Sequence, residues 1–172
     1  PVCVKHGVTK AGEVGLAITE DDILKSSKVK DITWGSEKIC CADSHAIVSE
    51  TEKICHILKN FETHHNQSFA VASSESGKLS GIITLEHLKE TLMIGEFADT
   101  LLAVDIMDKP VCTCSPEDSL PDVYKKFSDA DTESMPIVDN DGKPLGIMEK
   151  FAADHYLHTR ILEINRKLEN MA

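Results

Sequence analysis

The sequence predicts a mixed α/β (α+β) fold made of two β-α-β-β-α repeats packed with pseudo-two-fold symmetry. Three observations carry that expectation. The stretch from Asp31 to Leu88 is echoed from Asp105 to Ala153. Each copy passes through strand-like and helix-like periodicity in the same order. Neither copy supplies enough apolar surface to close a core alone, and stacking one on the other is the physical remedy.

The offsets between matched residues support a true repeat. Asp31-Ile32 matches Asp105-Ile106 at 74, Ser44 matches Ser115 at 71, Phe69-Ala70-Val71 matches Met135-Pro136-Ile137 at 66, and Gly77, Lys78 and Gly81 match Gly142, Lys143 and Gly146 at 65. The steady shrinkage places a few additional residues in the loops of repeat one.

Within each repeat the elements follow in order. A short strand ("KICCA", "VCTC") ends at Ser44 or Ser115, both suited to cap a helix. Pro116 then suits the first helical position, with Glu117 and Asp118 in the first turn. The first helix carries Ile47, Ile54, Leu58 and Phe61 in repeat one, and Leu120, Val123, Tyr124 and Phe127 in repeat two. Two strands follow, "SFAVAS" with "LSGIIT" and "SMPIVD" with "PLGIME", joined by Ser-Glu-Ser-Gly-Lys and Asn-Asp-Gly-Lys turns. A second helix closes each unit, over about 85–97 and from about Phe151 onward.

Composition bounds the function. The 172 residues carry 18 Lys+Arg against 29 Asp+Glu, a net charge of −11, with 41% hydrophobic and 27% charged residues. This is globular composition, and the acidic balance argues against nucleic acid and anionic membrane as partners. No apolar run approaches the ~20 residues of a membrane span, and no signal segment opens the chain. Because it starts on Pro1, it reads as a piece of something longer.

Six cysteines, at 3, 40, 41, 55, 112 and 114, form no CxxC. Cys40-Cys41 and Cys112-Thr113-Cys114 read as small buried strand residues, reduced in a cytoplasmic setting. Zinc would have to use Cys55, His56, His64 and His65, whose spacing matches no common finger or ribbon, so no metal is expected. Asp99, Asp105 and Asp108, and Asp129, Asp131 and Glu133, read as solvated loop acids. No nucleophile motif, phosphate-loop lysine or EF-hand spacing accompanies them, and no catalytic residue is assigned.

The order β-α-β-β-α, with "DIM…VCTCSPEDSL…MPIVDNDGKPLGIM", resembles a cystathionine-β-synthase-type (CBS) repeat. The tandem resembles a CBS pair, or Bateman module, over about residues 29–160. The divisions expected are a linker at 1–28, repeat one at 29–98, repeat two at 99–160 and a C-terminal helix at 151–172 that overlaps the end of repeat two. The resemblance implies a non-catalytic regulatory module that forms homodimers and binds adenine nucleotides such as ATP, ADP or AMP in its clefts. The flanking stretches "KHGVTKAGEVGLAITEDDILKSSKVKDI" and "LMIGEFADTLLAVDIM" resemble those around the CBS repeats of CLC-type chloride channels and transporters. That implies the cytoplasmic part of a membrane protein, with the membrane domain in the same chain. The alternatives are a stand-alone CBS sensor and the regulatory piece of an enzyme.

Nucleotide-binding members carry Gly-φ-φ-(Thr/Ser)-x-x-Asp between the last strand and second helix. The hydroxyl there sits where a helix start favours phosphate, and the acid accepts both ribose hydroxyls. Repeat one reads Gly81-Ile82-Ile83-Thr84-Leu85-Glu86-His87, keeping the hydroxyl and replacing the acid. A neutral imidazole accepts one ribose hydroxyl rather than two. Repeat two reads Gly146-Ile147-Met148-Glu149-Lys150-Phe151-Ala152, losing both, and its carboxylate would repel phosphate. The resemblance therefore assigns one cleft: Thr84 and His87 with Cys112, Ser134, Met135 and Pro136. Taken alone, the same residues also fit a helix cap, a solvated histidine and an apolar strand start.

Two further features stay open. Leu157, Ile161, Ile164, Leu168 and Met171 form a heptad-like seam, suited to docking on the module itself or to a dimer contact. Trp34-Gly35 suits a partner contact or a cover for the cleft, and His155 with His158 fits a surface pair or a shared metal.

Overall fold

The computed structural model describes residues 19–34, 37–38, 44–64, 67–93 and 100–170. The chain runs through α1 (Glu20–Ser26), β1 (Thr33–Trp34), β2 (Glu37–Lys38), β3 (Ile47–Ser49), α2 (Ile54–His64), β4 (Ser68–Ala72), β5 (Leu79–Thr84) and α3 (Leu85–Met93). It continues with α4 (Ala103–Ile106), α5 (Leu120–Ala130), β6 (Ser134–Val138), β7 (Pro144–Glu149) and α6 (Lys150–Glu169). In repeat one β3 lies parallel to β4, which pairs antiparallel with β5. In repeat two β6 and β7 form the antiparallel pair, and Cys114 supplies a single parallel bridge to Ile137. The mixed fold and the repeated unit are those expected.

Both hairpins turn through a glycine at positive φ, Gly77 at 67° and Gly142 at 80°, a region closed to most side chains. The turn is held at its base by Asp139 N–H donating to the Lys143 carbonyl in repeat two, and by Ser73 N–H donating to the Lys78 carbonyl in repeat one.

The start of each repeat departs from expectation. Ser119, not Ser115, caps α5: its hydroxyl accepts from the Asp122 N–H, and Pro121 lies in the first turn. Ser115 instead accepts from Glu117 N–H in the preceding turn. In repeat one Ser44 opens a single 3-10 turn, Ile47 belongs to the strand, and the helix waits until Ile54. Lys38 lies in the β1–β2 pair, and the rest of the "KICCA" stretch falls outside the described residues. The pairing explains the shift. Val48 bridges Val71 and Cys114 bridges Ile137, both 23 residues on. Ser49 is therefore the partner of Ser115, at the same offset of 66 that relates Val71 to Ile137. The additional residues of repeat one are not spread through its loops. Eight (74 − 66) form one insertion between Ile32 and Ile47, which carries the β1–β2 pair, and one lengthens the β4–β5 turn.

The halves hold together by exchanging arms. The segment that leads into repeat one docks on repeat two: Val29 and Lys30 N–H donate to the carbonyls of Asp118 and Pro116, and Leu120 N–H donates to that of Ser27. The segment that opens repeat two docks on repeat one in the same manner: Ala103 and Val104 N–H donate to the carbonyls of Glu52 and Glu50, and Ile54 N–H to that of Leu101. Side chains follow the backbone. Val29 and Ile32, fully buried, join Leu120, Val123, Phe127, Met135 and Met148 in one core. Ala103, with Leu101, Ile106 and Met107 packed alongside, joins Ile54, Ile57, Phe69, Ile83 and Leu88 in the other. A smaller cluster of Ala46, Ala70, Ile82 and Ile147 seals the sheets between them. Burying one Val or Ile side chain contributes roughly 1.5–3 kcal/mol, so the exchanged residues matter at the scale of whole-domain stability.

Candidate ligand-binding cleft

Strand β5 passes into α3 with no intervening loop, so the last strand residue serves as the helix cap. Thr84 Oγ1 accepts from the His87 N–H at 3.4 Å, and His87 Nδ1 accepts from the Thr84 N–H at 3.2 Å. This is a reciprocal capping box with imidazole in the place usually taken by Glu or Gln. Accepting at Nδ1 leaves the ring proton on Nε2, and that atom stands 3.2 Å from Asp108 Oδ2. The neutral ring then has no lone pair left for a ribose hydroxyl.

Asp108 is held by its backbone. It exchanges two hydrogen bonds with Ile82, N–H to carbonyl at 2.8 and 3.0 Å. Gly81 makes this approach possible: a Cβ there would lie 2.5 Å from Met107 Sδ and 2.9 Å from the Asp108 carbonyl oxygen. The side chain of Asp108 remains 76% exposed while that of His87 is 21% exposed.

Five of the six residues assigned from sequence, Thr84, His87, Cys112, Ser134 and Met135, lie along one circuit, and Pro136 follows Met135 in β6. Thr84 pairs with Ser68 across β4 and β5. The Ser68 and Ser134 hydroxyls bond at 2.8 Å. Next to Ser134, Met135 Sδ meets Cys112 Sγ at 4.0 Å. From Cys112 the chain leads back to Asp108, which faces His87. Met135 and Pro136 are buried, while Thr84, His87 and Cys112 stay half-exposed. Burial pushes the Cys112 thiol up, and pushes Cys114 to about 12 with Asp118 adding to it. Both therefore stay protonated and unreactive at neutral pH.

The corresponding position in repeat two is arranged differently. Glu149 stands where Thr84 stands in repeat one, and its carboxylate accepts the Gln67 N–H from across the repeats at 3.2 Å. Ala152, at the position of the missing acid, is buried. Where Leu85 N–H donates to Gln67, Lys150 N–H donates to Glu133, so the backbone is repeated while the side-chain chemistry is not.

Other sequence candidates take structural places. His56 Nδ1 on α2 meets Oε1 of Glu52, just ahead of the helix, at 2.8 Å, and Cys55 is half-buried. The His64 side chain and His65 lie outside the described residues, as do the Trp34 side chain, Gly35, the Leu168 side chain and Met171. Among the described residues no three His, Cys, Asp or Glu side chains are grouped to hold a metal. Leu157, Ile161 and Ile164 are half-buried along α6, which packs against α1 and α5. The residues that sequence reasoning missed are Ser68, Gln67 and Asp108. The 66-residue offset from Ser134 was the one signal that marked Ser68.

Arm exchange and paired sheets make the chain a tandem of two similar repeats, a fold that resembles that of solved CBS domain pairs. Residues 103–149 match the family model of the CBS domain, and the match falls on repeat two. Solved CBS structures share the fold. The CBS domain of a CBS domain containing membrane protein from Sphaerobacter thermophilus is 20% identical, with a TM-score of 0.63 over 80% of this chain and 91% of that one. The CBS domain pair of protein MJ0100, solved with 5′-methylthioadenosine and S-adenosyl-L-methionine, is 21% identical, with a TM-score of 0.62 over 78% and 98%. The CBS domain of the bacterial CNNM/CorC family Mg2+ transporter is 14% identical, with a TM-score of 0.62 over 80% and 79%. No curated protein sequence matches the chain. Among the described residues no helix is long and apolar enough to cross a membrane.

Proposed function

We propose that this chain is a non-catalytic regulatory module that senses an adenosine-type ligand in the cleft ringed by Thr84, His87, Cys112, Ser134, Met135 and Pro136. We propose further that it works as a homodimer and as the cytoplasmic part of a CLC-type chloride channel or transporter. The observation that carries the ligand reading is the circuit itself, which crosses from repeat one to repeat two at Ser68–Ser134 and returns at Asp108–His87. A ligand seated inside it touches both halves, and only such a ligand can favour one inter-repeat arrangement over another. The adenosine compounds bound by the MJ0100 pair support the ligand class, and the membrane and transporter origins of two similar structures support the host. The flanking stretches support the chloride-channel type.

The N-terminal arm offers a route of transmission. Whatever precedes Thr19 is joined through α1 to repeat two, where Lys28 and Lys30 both pair with Glu117 at 2.8 and 2.7 Å. A change at the cleft that moves repeat two therefore moves the arm.

A thermal-shift series with adenosine, S-adenosylmethionine, AMP, ADP and ATP tests the ligand reading. Binding at a hundredfold the Kd stabilises by about 2.7 kcal/mol, a shift of a few degrees. At least one compound raises the Tm, and Thr84→Val abolishes the rise. No shift with any of them, or the same shift in Thr84→Val, overturns it. Light scattering at a dimer mass tests self-association, and ten or more apolar helical spans upstream of Pro1 in the full-length gene test the host.

A further inference from the structure

We propose that the sulfur-lined core face of repeat two binds a soft monovalent metal ion, copper(I), through the thiolate of Cys112 and the thioether of Met135. The proposal is independent of the adenosine reading.

Cys112 Sγ and Met135 Sδ stand 4.0 Å apart, brought together from positions 23 residues apart in the chain. At the roughly 2.3 Å of a metal–sulfur bond, an ion touching both sulfurs subtends an angle of about 120°. That is the angle of a trigonal site with one corner still open. More sulfur lies alongside. Cys114, Met135 and Met148 belong to one core, and Cys112 packs against it. Cys114 bridges Ile137, which follows Met135 on the same side of β6, and Met135 pairs with Met148 of β7. These side chains therefore share one face of the sheet.

Repeat one shows that the packing does not require sulfur. At offsets of 66, 66, 66 and 65, the equivalents of Cys112, Cys114, Met135 and Met148 are Ala46, Val48, Phe69 and Ile83, all buried. Hydrocarbon fills every one of these places in one copy, and sulfur fills every one in the other. Access is built in as well. Cys112 is half-exposed at the cleft rim, whereas Met135 and Met148 are fully buried and Cys114 nearly so. An ion therefore meets the thiol first and the thioether behind it. Thiolate and thioether select soft ions such as copper(I), while hard cations prefer oxygen. Charge favours a monovalent ion. A coordinating thiol gives up its proton, so copper(I) forms its bond to Cys112 Sγ, the proton leaves to solvent, and no atom changes oxidation state. The thioether adds no charge, and the unit is neutral. A divalent ion would leave a net positive charge against an apolar core, which is costly.

The test titrates the chain, carrying 13C-methyl methionine, with copper(I) under argon in ascorbate. NMR follows the Met135 methyl signal, assigned through Met135→Leu, and competition with bicinchoninate gives the affinity. The first equivalent of copper(I) is expected to move the Met135 signal. Loss of an outer partner weakens a metal site by about 10–100-fold, so loss of a ligand is expected to cost at least about tenfold in Met135→Leu and at least about a hundredfold in Cys112→Ser. Leu for Met is among the best tolerated core exchanges, and Cys112 is half-exposed, so both variants are expected to fold. Zinc(II) at the same concentration is expected to leave the Met135 signal in place. Copper(I) taken up with that signal unmoved, or with wild-type affinity in both variants, assigns the binding to the other cysteines and overturns the proposal. Absence of uptake overturns it too, and an equal shift with zinc(II) overturns the choice of a monovalent ion.

Discussion

The hydroxyls of Ser68 and Ser134 meet at 2.8 Å, and the two residues occupy the same place in the two repeats. A contact between equivalents can form only on the pseudo-two-fold axis, so this pair marks where the axis passes through the molecule. It lies at the start of β4 and of β6, beside the cleft rim, and Ser68 is buried.

The pair yields a double-mutant prediction. Ser68→Ala removes one partner and leaves the half-buried Ser134 hydroxyl without its bond, which costs about 1–2 kcal/mol. Ser134→Ala does the converse. The double variant loses both groups together, so it is expected to cost less than the singles summed, with a coupling of about 0.5–1.5 kcal/mol. Urea unfolding of the four proteins measures it. Strict additivity would show that the hydroxyls do not interact.

Gly81 yields a second. In Gly81→Ala the new Cβ meets Met107 Sδ at 2.5 Å and the Asp108 carbonyl oxygen at 2.9 Å. The thioether can swing aside, but the carbonyl is fixed by the Ile82 N–H. Overpacking of this kind costs about 1–3 kcal/mol, and it pushes Asp108 from its place beside His87. Adding Met107→Ala should recover only part of the lost Tm. Full recovery would place the whole clash in the side chain.

Some of this was legible beforehand. Turn glycines flanked by apolar strands marked both hairpins, because Gly77 and Gly142 supply the positive φ that the turn demands. The first strand and helix of each repeat were misplaced for a local reason. Ser115 and Ser119 are both competent caps, four residues apart, and only burial of Leu120, Val123 and Phe127 decides between them. In repeat one the insertion after Ile32 hid the register, which becomes clear once Val48 pairs with Val71. The arm exchange had no local signal at all. Repeat boundaries say which residues correspond, not which copy an arm covers. Asp108 shared that invisibility, since its partners Ile82 and His87 belong to the other repeat.

Glu117 yields a prediction in pH. Hydrogen bonds from Lys28 and then Lys30 hold its carboxyl at about 2, below an ordinary 4.5. A carboxylate with a depressed folded pKa contributes stability fully above its unfolded pKa, and that contribution is lost as pH falls through the folded value. The loss therefore falls between about pH 4.5 and 2. Glu117→Gln should flatten the acid limb of the stability curve in that window, and because the pair is exposed, high salt should narrow the difference from wild type. Superimposable acid profiles would show that the latch adds nothing.

Ile32 tests the arm exchange most directly, because the prediction concerns where damage appears. Ile32 lies at the start of repeat one yet is fully buried among repeat-two residues. Ile32→Ala is expected to cost about 2–5 kcal/mol. Local unfolding then brings faster amide exchange in the elements it covers. Those are α5, β6 and the first turns of α6, whereas α2 and β4 lie in the core closed by Ala103 and should exchange faster only through global unfolding. Ala103→Val is the mirror experiment, since overpacking under α2 should loosen repeat one and spare α5. If Ile32→Ala instead quickened exchange first in α2 and β4, the arm would be bound to its own repeat, and the cleft would lose its mechanical link to the chain that precedes it.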